Sequence, residues 1–138
     1  MTARLFTPDE VNHLIPRLRE LMETAMERHR QALELQERLR EDRARVAASG
    51  GERLDASEWK ARAERLDGLA IEVRQVLQEI QSLGGVTKDL EMGLVDFPGR
   101  GPDGSADRIV NLCWRYGEEA VEFWHGMNEG YAQRKPLA

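Results

Sequence analysis

The strongest constraint on the fold is a long helix whose start is marked in the sequence. Thr7, Pro8 and Glu10 occupy the N-cap, first and third positions of a capping box. Residues at spacings of three and four then form a mostly apolar seam, which comprises Val11, Leu14, Leu18, Leu21, Ala25, Arg28, Ala32, Leu35, Leu39, Asp42 and Val46. This pattern predicts one amphipathic helix that ends near the glycines at 50 and 51.

A second helix follows after a short, glycine-rich link. Asp55 and Glu58 form another capping-box pattern, and Gly84 ends the helix. Its seam comprises Trp59, Arg62, Leu66, Leu69, Val73, Val76, Ile80 and Leu83. The short link predicts an antiparallel helical hairpin over about 7–84. Because the first helix is longer, its apolar positions from Val11 to Leu21 need cover from the C-terminal third of the chain.

Pro16 falls within the early turns of the first helix. Its ring has no N–H to offer the carbonyl of Asn12 and crowds that carbonyl. Two interpretations stay open. Pro16 either bends the helix around the domain or opens its backbone at a functional site.

The C-terminal third changes character. Segments at 93–98, 109–116 and 120–125 are rich in β-branched and aromatic residues and are bounded by Gly, Pro and Asp. They predict three antiparallel strands in a meander over about 93–126, followed by a loose basic tail at 127–138. A rival interpretation is a helix from Glu118 onward, because its apolar residues also fit a period of 3.6. The chain is thus predicted to be a single α+β domain, residues 1–138, in which the hairpin packs with a small three-stranded sheet.

Charge and cysteine content argue against several classes of function. The formal net charge is −5, whereas nucleic acids and anionic membranes attract basic surfaces. The single cysteine, Cys113, permits no internal disulfide and suits a reducing compartment. No apolar run is long enough for a signal peptide or a membrane span. We therefore expect a cytoplasmic protein with neither a nucleic-acid nor a membrane partner.

Four residues near the predicted strands could hold a metal ion. Alternation along the middle strand places Cys113 on the face opposite Trp114, and a tight hairpin would put His125 on the face of Cys113. Asp96 and Glu118 could complete a set of nitrogen, sulfur and oxygen ligands, with Glu129 as an alternative carboxylate. The alternative is that Cys113 is a small buried hydrophobe and His125 a hydrogen-bonded core residue. A divalent metal is the one cofactor that these residues suggest.

Other polar residues gather around the same aromatic-rich segments. A small ligand could be bound by Asn12, Lys88, Asp89, Arg115 and Arg134. Cys113 could also act as a nucleophile with His125 as its base, although nothing marks the thiol as activated. The glycine-rich loop at 99–104 lacks the following helix and lysine of a phosphate-binding loop.

Four stretches carry a family resemblance: FTPDEVNHLIP at 6–16, LGGVTKDLEMGLVDFP at 83–98, NLCWRYGE at 111–118 and FWHGMNEGYAQRKPL at 123–137. With them the chain resembles, over essentially its whole length, the prokaryotic family called domain of unknown function 2203. The resemblance implies a small cytoplasmic α+β protein and no particular activity. By similarity it singles out Asn12, Lys88, Asp89, Asp96, Cys113, Trp114, Glu118, Trp124, His125 and Arg134.

Two functions from different classes remain open. The first is a non-enzymatic interaction protein that forms a homodimer through its helical hairpin, because the hairpin has more apolar positions than one two-helix seam needs. The second is a ligand-binding or metal-binding protein, with or without catalysis. Its site would lie between the start of the first helix and the C-terminal sheet, with His125 at the centre.

Overall fold

Two helices and one antiparallel sheet form the part of the chain that the computed structural model describes, residues 4–48, 56–102 and 108–137. The helices are α1 (Pro8–Ala48) and α2 (Ala56–Leu83). The strands are β1 (Val86–Asp89), β2 (Leu94–Arg100), β3 (Ile109–Arg115), β4 (Phe123–Gly126) and β5 (Lys135–Pro136), and they pair in the order β1-β2-β3-β4-β5. The α+β class is therefore confirmed. Neither helix, within these described residues, is long and apolar enough to cross a membrane.

The start of α1 has the predicted capping box. The Glu10 N–H donates to Thr7 Oγ1 at 3.2 Å, and the Thr7 N–H donates to Glu10 Oε1 at 3.0 Å. Phe6 and Val11, on either side of this box, are both buried, as a hydrophobic staple requires. The corresponding cap predicted for α2 involves Asp55, which lies outside the described residues, although α2 begins at the next residue.

Replacing Thr7 with alanine is expected to lower the free energy of unfolding by about 1 kcal/mol, because first-turn N–H groups lose their acceptor. Urea unfolding followed by circular dichroism measures this loss. Thr24→Ala is the matched control, since Thr24 is exposed within α1 and caps nothing. A midpoint for Thr7→Ala equal to that of the control would contradict the role of the cap.

The polar members of the two seams pair across the hairpin. Asp42 is 5% exposed, and its carboxylate lies 2.7 Å from Arg62 of α2 and 2.7 Å from Arg45 of α1. Arg28 Nε lies 3.1 Å from a carboxylate oxygen of Glu72. Burying the Asp42 carboxylate without Arg62 would be costly, and the two meet only when the helices are aligned in this way. The pair therefore favours this alignment. The interruptions of the apolar seam therefore help to set the register of α1 against α2.

The beginning of α1 packs on one face of the sheet, here called the inner face. That face presents Val95, Phe97, Val110, Leu112 and Trp114. These residues share one buried core with Phe6, Val11, Ile15, Leu18, Leu21 and Met22. The sheet thus covers the apolar positions from Val11 to Leu21, but α2 covers them as well, because Ile80 lies in the same core and Arg17 pairs with Glu79. The prediction that the C-terminal third must cover this stretch in place of α2 is therefore only partly correct.

The sheet has five strands, so the prediction of three is wrong. β1 follows α2 almost directly, and its sequence VTKD holds a single apolar residue. Such an edge strand, with exposed and half-exposed residues, lacks the apolar alternation that identifies a strand in sequence. β5 has two residues, one of them a proline, which is too short for any periodic signal.

The residues after Gly126 are also better ordered than the sequence predicts. In place of a loose tail over 127–138, a short 3-10 turn at Tyr131–Gln133 leads into β5, which pairs with β4. The rival prediction of a helix from Glu118 is wrong, because Phe123–Gly126 is a strand. The segment from 127 to 134 instead crosses the outer face of the sheet, opposite α1.

Candidate metal centre

The outer face of the sheet carries a buried polar cluster. Residues that pair directly in an antiparallel sheet project from the same face. Asp96 pairs with Cys113, and Asn111 pairs with His125. All four side chains are less than 9% exposed, although nothing from α1 covers this face. The cluster therefore forms a second interior, separate from the apolar core on the inner face.

This position corrects the sequence-based one. The sequence predicts a site between the start of α1 and the sheet, but the sheet itself separates α1 from His125. The reason is the alternation of side chains along β3. Because Leu112 and Trp114 face α1, Asn111 and Cys113 must face away from it.

The cover over this face comes from the segment between β4 and β5. A cavity of about 130 Å³ lies between this segment and the polar cluster. The segment lines the cavity with Met127, Glu129, Gly130 and Tyr131, and Lys88 and Leu94 contribute from the sheet. A space of this size holds more than one water molecule, so it can hold an ion with its remaining ligands.

Three side chains of the cluster converge on one point. One potential ligand atom each from Asp96, Cys113 and His125 lies within 4.8 Å of the other two. Asp96 Oδ2 is 3.0 Å from His125 Nε2. Three of the four metal ligands predicted from the sequence therefore lie together in the structure.

The hydrogen bonds of His125 determine where its ring can bind. Nδ1 lies 2.9 Å from the carbonyl oxygen of Gly126. A carbonyl only accepts, so Nδ1 must carry the proton and donate it. Nε2 is then directed at the carboxylate of Asp96, which is also an acceptor when ionised. A proton or a metal ion must therefore lie between the two groups.

Asp96 has one oxygen to spare. Its Oδ1 is buried and has no hydrogen-bond partner among the described residues. A buried, unpaired carboxylate oxygen costs about 1–3 kcal/mol or more, and native structures rarely tolerate one without an ion or a water. The outer face therefore contains an acceptor that a cation, a water molecule or the neighbouring Cys113 thiol could satisfy.

Cys113 is not set up as a nucleophile. Burial raises the pKa of its thiol to about 12, and the negative charge of Asp96 adds to the rise. The thiol is therefore neutral at physiological pH, whereas nucleophilic attack requires the thiolate. This argues against the alternative in which Cys113 attacks with His125 as its base. A bound cation, by contrast, would stabilise the thiolate, as it does for any coordinating thiol.

Glu118, the fourth predicted metal ligand, does not join this group. Both of its carboxylate oxygens lie 2.8 Å from Arg134 Nη2, and the Arg115 N–H donates to Oε1 at 2.6 Å. Glu118 lies in the turn after β3, where its side chain closes the turn on Arg115 and pairs with the chain after β4. Its inclusion with Asp96, Cys113 and His125 is wrong for this geometric reason.

The two predicted arginines hold the covering segment in place. The Arg134 guanidinium stacks on Phe123 at 4.0 Å and on Tyr131 at 4.9 Å, while its Nη2 pairs with Glu118. Arg115 donates to the Tyr131 hydroxyl at 2.9 Å. Arg115 and Arg134 thus link the segment over the site to β3 and β4.

The remaining predicted ligand-binding residues lie in different places. Asn12 Oδ1 accepts the backbone N–H of Val121 at 2.8 Å, on the α1 side of the sheet. Asp89 Oδ1 accepts the Met92 N–H at 2.9 Å and so closes the turn between β1 and β2. Lys88 is exposed and borders the cavity. Of these three, only Lys88 reaches the site.

Sequence reasoning missed several residues of the cavity. It places Asn111 on the face of Cys113 and His125 and offers Glu129 as a possible metal ligand, but it leaves Met127 and Tyr131 in the supposed loose tail. Glu129 Oε1 accepts the Gly126 N–H at 2.7 Å and pairs with Lys135 at 2.6 Å. The signal that could have revealed this folded segment is an aromatic residue and a carboxylate close to two glycines, Gly126 and Gly130.

Comparison with known proteins gives one match. A family model described as an uncharacterized conserved protein, DUF2203, matches residues 4–137, nearly the full chain. No curated protein and no solved structure matches the chain. The match carries no activity with it, so the chemistry of the site must be argued from its own residues.

Proposed function

The chain belongs to the DUF2203 family of uncharacterized conserved proteins, and we propose that it is a metal-binding protein whose ligands are Asp96, Cys113 and His125. The observation that carries this proposal is the convergence of three ligand atoms within 4.8 Å at a buried point. One of these residues has a carboxylate oxygen that lacks a partner among the described residues. A divalent cation at that point would satisfy the carboxylate, the imidazole and the thiol together.

A polar network without metal is the competing account, and two features argue against it. Metal-binding histidines commonly donate their second ring nitrogen to a backbone carbonyl or a carboxylate, as His125 does to Gly126. In addition, Asp96 Oδ1 is buried and lacks a hydrogen-bond partner among the described residues, so the cluster offers an acceptor to a cation placed between the three side chains.

The ligand types indicate the class of metal. One nitrogen, one sulfur and one oxygen suit Zn²⁺ or a neighbouring late first-row cation. Mg²⁺ and Ca²⁺ are disfavoured because they prefer oxygen ligands. Three protein ligands leave a fourth position for water or a small molecule, which is the arrangement of zinc sites that act on a ligand. The cavity of about 130 Å³ beside the cluster provides the space for it.

A reducing compartment such as the cytoplasm suits this proposal. Cys113 is the only cysteine of the chain, and it must stay a free thiol to bind metal. Oxidation to a sulfinic or sulfonic acid would remove the ligand irreversibly.

The test is a titration of metal-free protein with Zn²⁺ and with Co²⁺. Calorimetry measures the heat of binding, and absorption spectroscopy monitors the bound cobalt. We expect one metal per chain. His125→Gln is expected to weaken binding by about 100-fold or more, since even residues behind the ligands change affinity by 10–100-fold. Cys113→Ser is expected to remove the sulfur-to-cobalt charge-transfer absorption. Zinc at about 100 times its Kd should stabilise the wild type by about 2.7 kcal/mol.

His13→Gln is the matched control. The Nδ1 of His13 also lies against a backbone carbonyl, that of Asp9 at 2.7 Å, but His13 is exposed on α1. This variant should bind metal like the wild type. If the folded wild type takes up no late first-row metal, or if His125→Gln and His13→Gln bind equally well, the cluster is a structural network and the proposal is wrong.

A further inference from the structure

The part of the hairpin that extends beyond the sheet has an open groove along one side. The core shared with the sheet takes in α1 as far as Met26 and α2 from Val76 onward. Beyond those points α1 and α2 form a groove of about 690 Å³ between them. Its apolar lining includes Leu33, Leu39, Trp59, Ala63 and Leu66. Two helices bury a single seam against each other, so among the described residues this side of the seam lacks the cover that a third or fourth helix gives in a bundle.

The groove lining combines a large exposed side chain with a small one. Leu33 is 45% exposed although it is a large apolar residue, and it forms part of one wall. Ala63, opposite on α2, is the smallest residue of the lining. A face that carries an exposed leucine and a small alanine can pack against a copy of itself, because a twofold interface uses the same patch on both subunits.

The charges along the groove are also self-complementary. The α1 wall carries Glu37 and Arg40, which pair with each other within the helix, together with Arg43. Arg43 lies 5.5 Å from the ring of Trp59. Both signs therefore occur on one wall. When a second copy of this wall runs antiparallel to the first, the arginines of each copy can face Glu37 of the other. A partner with a single sign of charge would meet like charges on the same wall.

The area is of the order that such a contact needs. At about 1.5 Å per residue, the stretch of α1 from Met26 to Ala48 is about 33 Å long, and two packed helices are about 20 Å wide. One face of this helix pair therefore covers about 660 Å² when treated as a flat rectangle. The uneven surface of the side chains makes the accessible area larger. Each partner in an interface of standard size buries about 800 Å².

From these observations we propose that the groove is the interface of a homodimer in which the hairpins of two copies pack into a four-helix arrangement. The occupant of the groove is the same groove of the second copy. Leu33 of each copy inserts beside Ala63 and Leu66 of the other. This proposal does not depend on metal at Asp96, Cys113 and His125, which lie on the far side of the sheet from α1.

The test is sedimentation equilibrium from the low to the high micromolar range, with a chelator present so that metal cannot mediate association. The monomer mass is 15.8 kDa, and we expect twice that mass for the wild type. Leu33→Glu places an unpaired charge in the interface and is expected to raise the dimer Kd by about 30-fold or more, the size of a strong interface contact.

Ile71→Glu provides the matched control. Ile71 is 48% exposed on α2, and it is not one of the described residues that line the groove. This variant should remain dimeric, and circular dichroism should show that both variants stay helical. A wild type that is monomeric at high micromolar concentration overturns the proposal. Equal dimerisation of Leu33→Glu and the wild type, or equal loss in Leu33→Glu and Ile71→Glu, overturns it as well.

Discussion

Trp114→Ala is expected to lower the free energy of unfolding by about 3–5 kcal/mol, the usual cost of removing a large aromatic side chain from a core. Trp114 is fully buried on the inner face of the sheet. Its Nε1–H donates to the Glu118 carbonyl at 2.9 Å, and its ring meets Tyr116 edge to face at 6.4 Å. Urea unfolding followed by far-ultraviolet circular dichroism measures the change.

Trp114→Phe separates the two contributions of this residue. Phenylalanine keeps most of the apolar volume but cannot donate to the Glu118 carbonyl, so a smaller loss than for alanine is expected. A loss for Trp114→Ala below about 1.5 kcal/mol, no more than a hydrogen bond contributes, would mean that this part of the core is not packed as described.

Gly84→Ala is expected to destabilise the protein by about 2–5 kcal/mol. Gly84 ends α2 with a φ of +107°, where an L residue costs about 1–2 kcal/mol. A Cβ at this position would also lie 2.2 Å from the ring of Phe6. Phe6 is buried and packs edge to face on Phe97 at 5.2 Å, so it cannot move away freely. Such overpacking adds about 1–3 kcal/mol.

Gly117→Ala is the control for Gly84→Ala. Gly117 has nearly the same φ, +103°, but apart from its chain neighbours no described atom lies within 4 Å of the place that an alanine Cβ would take. It should show the backbone strain alone, measured as the shift of the urea midpoint. Equal losses in the two variants would mean that Phe6 yields to the added methyl group.

The helices could be predicted because their signals are local. The capping box of Thr7 and Glu10 involves residues three apart, and Gly84 provides the stop directly after the last residue of α2. Even the polar residues in the seams were informative, since Asp42 and Arg62 pair with each other across the hairpin. Each of these features depends on residue type and spacing rather than on the rest of the fold.

The edges of the sheet could not be predicted in the same way. β1 and β5 are short and polar, and they are strands because β2 and β4 provide backbone partners for them. The order of the covering segment depends on Arg134, which meets Glu118 from 16 residues away. No pattern in the sequence marks such a pair, because its geometry follows from the turn that precedes β4.

The candidate site was half predicted. Alternation along β3 correctly predicted that Cys113 and Trp114 lie on opposite faces of the sheet. It also predicted that Cys113 and His125 share a face. The same alternation implied that the polar face turns away from α1, because the apolar face must cover the helix. The error about the position of the site arose from attributing both faces of the sheet to the contact with α1.

The meander order of the strands has a consequence for the kinetics of folding. Every strand pairs with its neighbour in sequence, and α1 pairs with α2, so each pairing joins elements that follow one another along the chain. Low contact order of this kind favours rapid folding. The exception is the docking of the N-terminal turns, in which Asn12 meets Val121 across 109 residues. Closing that long loop is the most costly entropic step, and it joins two halves whose internal contacts are local.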